Sequence, residues 1–424
     1  MIYESALDKI LYQVKKLIPK PVFEFFQPAY HRLLAFGGPI RYGFPSRGMK
    51  VIGVTGTKGK STTVYMITKI LESAGHSVAA IGSLGFKIKD KEWPNTLKMT
   101  MPGRFRLQRF LSEARKAGCE FVVLEVTSEG IKEFRHLGID FDTAVFVNIH
   151  REHLENHGSF ENYLAAKRKL FQVCKKNHVI NVEDPNAEAF LKTHAEKTVT
   201  YGIKEGDVHA DDVSVMAERS KFVMKGEIVQ LNLAGEFNVS NAIAAIATTS
   251  LYGVSIQQAA KALESVNSIP GRMQFIQTEP FRVVVDYAHT PDSLEAVYKA
   301  LKQEGHRLIC VLGAAGGGRD KWKRPEFGAI AEKYCDEIFL TDEDPYEEDP
   351  NAILDQVQSG IHSENTKTKR ILDRREAIRA ALGAARPGDT VVITGKGSEI
   401  SMAVAGGKKI PWSDSEIVKG ILSR

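Results

Sequence analysis

The sequence contains no run of 18 or more apolar residues, so it holds no candidate transmembrane helix. Cysteine is scarce: four residues in 424, with no CxxC pair, namely Cys119, Cys174, Cys310 and Cys335. This usage predicts neither a disulfide framework nor a zinc knuckle, and it is typical of a reducing cytosol. The start of the chain, MIYESALDKI, lacks the basic-then-apolar layout of a signal peptide. We therefore expect a cytoplasmic protein.

The sequence also has no internal repeat and no low-complexity tract. With 43% hydrophobic and 26% charged residues it is typical of a globular protein, and its length predicts two or three domains. Charges are balanced beyond residue 50, without the basic stripe that nucleic-acid binding requires. We expect a monomer with no nucleic-acid partner.

The net charge of +5 is concentrated in the first 50 residues, which hold nine aromatic residues, eight lysines or arginines and three acids. We predict a short, mainly helical arm over residues 1–49. Such a basic, aromatic arm could contact an anionic membrane surface or a partner. Alternatively, it is a small helical element that packs on the rest of the protein.

Strand and helix signals alternate beyond residue 50, which predicts the α/β class. A break at Ile269–Gly271 divides the chain into a central domain, residues 50–268, and a Rossmann-like domain, residues 269–424. Predicted strands are Val51–Val54, Phe121–Val126, Thr143–Ile149, Arg282–Tyr287, Arg307–Gly313, Glu337–Thr341 and Thr390–Thr394. Predicted helices are Lys60–Ser73, Phe105–Ala117, Phe160–Cys174 and Ala242–Leu251, with three more that begin near Pro291, Pro325 and Pro350.

The most informative stretch is Val51–Thr63, VIGVTGTKGKSTT. Its apolar start and glycine turn predict a buried strand that leads into a helix. The backbone N–H groups of such a turn and the positive helix end point at one spot, which suits a phosphate chain. We expect Lys60 to reach the β- and γ-phosphates of ATP and Ser61 to ligate magnesium. The pattern departs from the general phosphate loop, because Val54 stands where its first glycine belongs.

Acidic and histidine side chains follow two later strands. Glu125 ends the strand Phe121–Val126, at the edge where open α/β sheets bind ligands, and would meet the magnesium held by Ser61. The segment NIHREHLENHG, residues 148–158, holds three histidines and two glutamates. Its alternative interpretation is a polar surface loop.

The helix NYLAAKRKLF contains Lys167, which the spacing alone assigns to a solvated helix face. Burial would instead lower the pKa of this lysine. A neutral amine can take up carbon dioxide to form a carbamate, an anionic oxygen donor for magnesium.

Ten strings occur here in the order seen in the Mur ligase family, and most closely in its MurE-type UDP-N-acetylmuramoyl-tripeptide synthetases. The strings are TGTKGKSTT, LEVTSEG, NIHREHLENHG, NYLAAKRKLF, GEFNVSNAIAAIA, PGRMQ, VVDYAHTPDSLE, GGGRDKWKRP, TDEDPYEEDP and GKGSE. The resemblance covers residues 50–424 and implies a P-loop-type central ATPase domain followed by a Rossmann-like domain.

The resemblance implies roles for individual residues. Lys60 resembles the family's phosphate lysine, and Ser61, Glu125 and His153 resemble its metal ligands. Lys167 resembles its carbamylated lysine, which holds a second magnesium; this implication reverses the interpretation from spacing alone. The implied catalytic group is Lys60, Lys167, His153 and Glu125.

The resemblance also implies nucleotide and substrate contacts. Asn241 resembles the asparagine near adenine, Arg272 a phosphate-contacting arginine and Asp286 the ribose-binding acid. The nucleotide group as a whole is Thr57, Gly59, Lys60, Ser61, Thr62, Asn241, Arg272 and Asp286. The substrate group is Thr100, Ser128, His289, Arg319, Asp344, Tyr346, Gly395 and Glu399.

The implied reaction is ATP-dependent amide-bond formation through an acyl phosphate, with magnesium and a carbamylated Lys167. The expected substrates are an amino acid of the diamino type and a UDP-MurNAc-dipeptide-like cell-wall precursor. A different acceptor, lipid-linked or of the folate or cyanophycin kind, is one alternative. A nucleotide-binding switch that ligates nothing is another.

Three features depart from the MurE-type pattern. Only about 50 residues precede the phosphate loop, too few for the family's UDP-binding domain. The amino-acid motif reads Glu-Asp-Pro-Tyr, where enzymes for meso-diaminopimelate have Asp-Asn-Pro-Arg, so Arg319 and Glu399 would bind lysine or another diamino acid. Glu129 and Ser398 stand where histidine is usual.

Overall fold

The structure is a computed structural model, and it describes residues 35–97, 99–152, 154–363 and 366–423. Residues 35–41 are helical, while the part of the predicted arm before residue 35 lies outside the described residues. Among the helices of the described residues, none is both long enough and apolar enough to cross a membrane.

The central part is built on an eight-stranded sheet with the order β4-β3-β2-β5-β1-β6-β7-β8. Strands β1, β2, β5, β6, β7 and β8 run parallel, and β3 and β4 extend one edge as an antiparallel hairpin. Their bounds are β1 Lys50–Thr55, β2 Val78–Gly82, β3 Gly85–Ile88, β4 Lys91–Trp93, β5 Phe121–Glu125, β6 Phe141–Phe146, β7 Asn177–Asn181 and β8 Lys197–Tyr201. Strands β1 and β5 are buried almost throughout, as parallel strands between helical layers must be.

Helices cover both faces of this sheet, and each face has its own apolar core. The helices are α1 Lys60–Ser73, α2 Arg104–Lys116, α3 Ser128–Lys132, α4 Leu154–His157, α5 Phe160–Val173, α6 Ala187–Leu191, α7 Glu236–Ser250 and α8 Ile256–Glu264. A small antiparallel sheet, β9 Asp212–Val215, β10 Ser220–Met224 and β11 Glu227–Leu231, packs against α8.

The C-terminal part has a six-stranded sheet with the order β12-β13-β17-β14-β15-β16, parallel except for β12. Its strands are β12 Gln274–Gln277, β13 Arg282–Asp286, β14 Leu308–Leu312, β15 Glu337–Leu340, β16 Lys367–Arg370 and β17 Thr390–Thr394. A hairpin, β18 Ser401–Val404 and β19 Lys408–Pro411, follows. The helices are α9 Pro291–Leu301, α10 Lys323–Tyr334, α11 Pro350–Gln358, α12 Arg374–Ala384 and α13 Asp414–Leu422.

A buried ion pair ties the end of the chain to this second sheet. Arg374, at the start of α12, donates from Nε and Nη2 to the two carboxylate oxygens of Asp414, at 2.9 and 2.7 Å. Both side chains are fully buried, and Trp412 Nε1 donates to the same carboxylate at 2.9 Å. The first residue of the last helix is therefore part of the domain core.

Two sequence expectations, one about a strand end and one about the cysteines, are wrong in detail. The strand predicted at Thr143–Ile149 is β6, and it ends at Phe146, because Asn148 leaves the sheet to bond the phosphate turn. Cys310 in β14 and Cys335 after α10 form a disulfide, with Cα atoms 6.1 Å apart, although they are 25 residues apart in sequence. The strand and helix meet only in the folded domain, so spacing alone could not reveal the pair; Cys119 and Cys174 are free and buried.

Candidate active site

The turn between β1 and α1 opens on a cleft. Gly59 ends this turn with φ 77°, and a Cβ there would lie 2.2 Å from Asn241 Oδ1. Glycine is required, because that φ is costly for other residues and because the side-chain amide of Asn241, on α7, occupies the space that a Cβ would need. No side chain caps α1, so its first backbone N–H groups face the cleft. This is the geometry of an anion site.

Lys60, Ser61 and Glu125 meet at the start of α1. Ser61 Oγ donates to Glu125 Oε2 at 3.0 Å, while Lys60 Nζ lies 3.9 Å from Glu125 Oε1 and donates to Thr57 O at 2.9 Å. Glu125 is almost fully buried, and the N–H of Ser83 donates to it at 2.9 Å. Burial lowers the pKa of Lys60. The three groups predicted around the phosphates and the metal are thus adjacent.

Asn148, two residues after β6, fixes the shape of the turn, and sequence reasoning missed this role. Asn148 Oδ1 accepts from the N–H groups of Thr57 and Lys58, at 3.2 and 2.9 Å, and its Nδ2 donates to Lys58 O at 3.2 Å. These bonds cross about 90 residues of sequence. The only signal was an amide two residues after a strand at the ligand edge.

Lys167 is buried, contrary to the interpretation from its spacing. The inward stripe of α5 is Tyr163, Lys167, Leu170 and Phe171. Lys167 Nζ donates to Gly56 O at 2.6 Å and lies 4.5 Å from the centroid of the Tyr163 ring. Burial, then the charges of Lys60 and Lys58, hold its pKa well below the ordinary value. The side chain therefore reaches the underside of the phosphate turn, where burial disfavours its charged form.

The histidine-rich segment separates into different environments. His157 is buried, its Nε2 is 3.1 Å from Ser128 Oγ, and burial lowers its pKa to about 4. His150 is exposed on the wall of the cleft. His153, the predicted metal ligand, lies outside the described residues. Within the described ranges, no three His, Cys, Asp or Glu side chains cluster as a metal site would require.

The C-terminal domain contributes the opposite wall. Arg272 Nη2 donates to Ser61 Oγ at 3.3 Å, and its guanidinium lies 4.4 Å from the Tyr287 ring centroid. Asp286 accepts from the N–H groups of Met273 and Ala288, both at 2.7 Å. Burial raises the pKa of this carboxyl group.

His289 also belongs to this wall. Its Nδ1 donates to Tyr287 O at 2.7 Å, and burial holds its pKa well below the ordinary value. In the neutral ring, Nε2 therefore carries the lone pair and can accept a hydrogen bond.

The residues that were predicted to bind the amino-acid substrate surround a buried lysine. Lys396 is fully buried; its Nζ donates to Asp344 Oδ2 at 2.8 Å and to Glu399. Asp344 Oδ1 also accepts from the N–H of Ala403 at 2.5 Å. Gly395 lies behind them with φ 106°, and a Cβ there would be 2.0 Å from an oxygen of Glu343.

One cleft of about 640 Å³ joins the two walls. Of the predicted site residues, it is lined by Thr57, Gly59, Lys60, Ser61, Thr62, Thr100, Glu125, Ser128, Asn241, Arg272, Asp286, His289, Arg319, Tyr346 and Glu399. Lys167, Asp344 and Gly395 lie behind its surface. The site residues stay predictions, but the structure brings most of them together.

Sequence reasoning also missed charged residues of this cleft. Lys58 and Arg135 line it, and burial lowers the pKa of Lys58 to about 7. Beside them, Glu152 Oε1 and Lys323 Nζ form a buried ion pair of 3.2 Å between the two domains. The strings NIHREH and RDKWKRP contain these two residues, but only folding shows that they meet.

Two family models match the chain. The model of the Mur ligase middle domain matches residues 54–249, and that of the Mur ligase, glutamate ligase domain matches residues 271–397. The chain belongs to the Mur ligase family. It is therefore an ATP-dependent ligase, and the predicted α/β fold class is confirmed.

Relatives of this Mur ligase support the narrower resemblance. The UDP-N-acetylmuramoyl-L-alanyl-D-glutamate--2,6-diaminopimelate ligase of Caldanaerobacter subterraneus is 39% identical over 389 residues, covering 90% of this chain and 80% of that protein. The UDP-N-acetylmuramyl-tripeptide synthetase of Roseiflexus is 36% identical over 402 residues, covering 88% and 78%. The resemblance to MurE-type synthetases is confirmed.

Solved structures agree with this placement. A structure of UDP-N-acetylmuramoyl-L-alanyl-D-glutamate--2,6-diaminopimelate ligase is 32% identical, with a TM-score of 0.62 over 89% of this chain and 79% of that one. The MurF ligase of Thermotoga maritima in complex with ADP is 17% identical, with a TM-score of 0.69 over 92% and 83%. The second likeness shows the shared fold alone.

Proposed function

We propose that this Mur ligase joins a diamino acid to the carboxylate of a UDP-MurNAc-dipeptide. The observation that carries the proposal is the single cleft, because phosphate, metal and amino-acid groups of both domains line it. The relatives' names supply the substrate class. Four statements stay predictions: the domain boundary between residues 268 and 269, the helical arm over residues 1–49, the monomeric state and the cytoplasmic location.

The proposed chemistry has two steps. A carboxylate oxygen of the acceptor attacks the γ-phosphorus of ATP, ADP leaves, and an acyl phosphate forms. The amine of the amino acid then attacks the acyl carbon, inorganic phosphate leaves, and the amine loses a proton as the amide forms. Lys60, Arg272 and the N-terminus of α1 face the phosphates and offset the charge that develops on them.

The donor set at the start of α1 fits magnesium. Ser61 Oγ and Glu125 Oε2 are hard oxygen ligands 3.0 Å apart, beside the predicted phosphate position. Magnesium prefers to keep waters and phosphate oxygens as its remaining ligands. When bound, it would neutralise phosphate charge, and Ser61 and Glu125 would hold it.

We propose that Lys167 carries a carbamate. Its neutral amine adds to carbon dioxide, forming an N–C bond and releasing a proton. Burial, and then the positive charges of Lys60 and Lys58, lower its amine pKa, and those two charges would favour the anionic product. A carbamate here would supply oxygen ligands for the second magnesium.

Lys167→Ala should abolish ligation, and added short carboxylic acids should restore part of it by replacing the carbamate. Lys169, on the same helix, is the matched control, and Lys169→Ala should keep full activity. The carbamate itself should appear as a ¹³C resonance after equilibration with labelled bicarbonate, present in the Lys169 variant and absent in the Lys167 variant. Full ligation by Lys167→Ala would refute the role.

The amino-acid pocket favours a side chain that ends in an amine. Tyr346 stands where diaminopimelate enzymes carry a carboxylate-binding arginine, so that clamp is missing here. Asp344 and Glu399 are carboxylates beside Lys396. A distal ammonium group would be attracted to the carboxylate of Glu399, which lines the cleft, whereas a distal carboxylate would be repelled by it.

The decisive experiment measures amide formation and phosphate release together. UDP-MurNAc-dipeptide and its analogue without UDP are each incubated with ATP, magnesium and one amino acid, drawn from the twenty standard ones plus ornithine and diaminopimelate. We expect product with lysine or ornithine above product with diaminopimelate. Phosphate release without any amino acid would favour the switch, and coupling without the UDP-linked acceptor would favour another acceptor.

A further inference from the structure

The segment before β1 is held firmly on the central domain. Gly37, in the helical stretch 35–41, packs so closely on the ring of Phe105 in α2 that a Cβ would lie 3.1 Å from it. Ser46 Oγ accepts from the N–H of Asp140 at 3.0 Å. The surface that this segment presents is therefore fixed relative to the cleft.

That surface carries exposed apolar side chains. Phe36 and Ile40, one helical turn apart, are 58% and 67% exposed, and Phe105 beside them is 41% exposed. They are three of the eleven large apolar side chains that are exposed in the described part of the chain. Exposed apolar residues are ordinary when scattered, but several together mark an interaction surface.

The same surface is basic. Residues 35–49 contain Arg41 and Arg47, both exposed, and no acidic residue. Helix α2, on which the segment packs, has five basic residues and a single acid, Glu113. Apolar side chains set among arginines are the composition of surfaces that lie on anionic lipid.

The surface also adjoins the cleft. Arg104, the first residue of α2, donates to the backbone carbonyl of Glu133, and Glu133 lines the cleft together with Met99. A protein seated on lipid through this surface would hold that end of its cleft near the bilayer.

We propose that Phe36, Ile40, Phe105, Arg41 and Arg47 form a docking face for an anionic membrane surface. The apolar side chains enter the headgroup region, and the arginines bind lipid phosphates. The attraction to lipid charge falls as salt screens it, while the apolar contribution remains. The contact holds the enzyme at the bilayer without crossing it.

Vesicle co-flotation of the full chain, without ATP or amino acid, tests the docking face independently of the proposed ligation. Phosphatidylcholine vesicles are compared with vesicles that contain phosphatidylglycerol as well, at low and at high salt. We expect binding to the anionic vesicles alone. Phe36→Ser with Ile40→Ser, and separately Arg41→Glu with Arg47→Glu, should each weaken it about tenfold or more.

Matched controls separate this face from the general charge and apolarity of the protein. Val215 and Ile228 are similarly exposed on the small sheet, so their Ser variants control for lost apolar surface. Lys197→Glu with Lys221→Glu makes the same charge change elsewhere, and both pairs should bind as the parent does. Unchanged thermal unfolding and unchanged ligation of a water-soluble acceptor would show that the face variants are folded.

Three outcomes would overturn the proposal. The first is that the protein does not bind the vesicles at low salt. The second is that the control pairs weaken vesicle binding as much as the face variants do. The third is full vesicle binding by both face variants, which would place lipid contact elsewhere in the chain. Sedimentation velocity adds a fourth: self-association that the face variants abolish would make the surface an interface between copies.

Discussion

At the scale of single residues, the phosphate turn depends on a missing side chain. Gly59→Ala combines a left-handed φ with a Cβ 2.2 Å from Asn241 Oδ1. Gly75, past the other end of α1, is the matched control, because its φ is 90° but a Cβ there would contact nothing within 4 Å. Both variants should lose about 1–2 kcal/mol of stability from the backbone alone.

Only Gly59→Ala should also weaken ATP binding, because it displaces the turn. The expected loss of affinity is tenfold or more, which corresponds to a loss of binding free energy of about 1.4 kcal/mol or more. Isothermal titration with a non-hydrolysable ATP analogue measures this against Gly75→Ala. Equal affinities in the two variants would show that the turn tolerates the displacement.

Glu343 should make the stability of the protein depend on pH. Burial raises its pKa from 4.5 to about 7. Between these values the folded chain holds a proton that the unfolded chain has released, so the free energy of unfolding falls as pH rises. The loss is complete above about pH 7 and amounts to roughly 3 kcal/mol.

Glu343→Gln removes this titration. Urea unfolding at about pH 5 and about pH 8 should show a smaller decrease in the variant than in the parent protein. The test compares the two decreases rather than the absolute stabilities, because the substitution also removes the electrostatic attraction to Arg374. Parallel pH profiles would contradict the assignment.

Single residues were predicted unevenly from the sequence. Lys60, Ser61 and Glu125 follow from the phosphate-loop and strand-end patterns, and they do meet. Lys58 and Asn148 were missed, since their importance comes from contacts across about 90 residues. Lys167 was assigned to the surface by spacing, although its apolar neighbours at helical intervals, Tyr163 and Leu170, show the buried stripe.

At the scale of elements, a buried ion pair links the segment after β6 to α10. Glu152 and Lys323 are 4% and 6% exposed, and Glu152 Oε2 has no hydrogen-bond partner among the described residues. Glu152→Gln or Lys323→Met leaves one charge buried without its partner and should cost about 3–5 kcal/mol. The double variant should recover part of that loss, and chemical denaturation measures each term of the cycle.

Lys321→Met is the control for this pair. Lys321 is 58% exposed and pairs with Glu348 at 3.1 Å, so its loss should cost less than about 1 kcal/mol. Additive losses in the double variant would show that Glu152 and Lys323 stabilise the protein independently.

Element bounds were predicted best where glycines punctuate the sequence. Helix α1 was predicted at Lys60–Ser73, as observed, because Gly59 and Gly75 flank it. Helix α7 was predicted to begin at Ala242 but begins at Glu236. Its first turns bury polar residues such as Asn238, so the apolar period that marks a helix is absent there.

At the scale of the whole molecule, Arg272 connects the two domains through the nucleotide site. It bonds Ser61 of the central domain while its guanidinium stacks on Tyr287. Arg272→Ala should weaken ATP binding about tenfold or more, which also lowers the thermal stabilisation that saturating nucleotide confers. Arg282→Ala removes another interdomain contact, with Glu218 at 2.8 Å, outside the cleft.

The Arg282 variant should keep its affinity for ATP. A thermal-shift titration with the nucleotide compares the two variants directly. Equal affinities would mean that Arg272 holds the domains together without contacting phosphate.

The bond between Arg374 and Asp414 bears on how the protein is made. Arg374, which starts a helix in the middle of the C-terminal domain, pairs with a carboxylate that is synthesised 40 residues later. Until that carboxylate has left the ribosome, the guanidinium has no buried anion to receive it. The central domain can therefore fold while the chain is still being translated, whereas the core of the second domain is completed only after residue 414 has emerged.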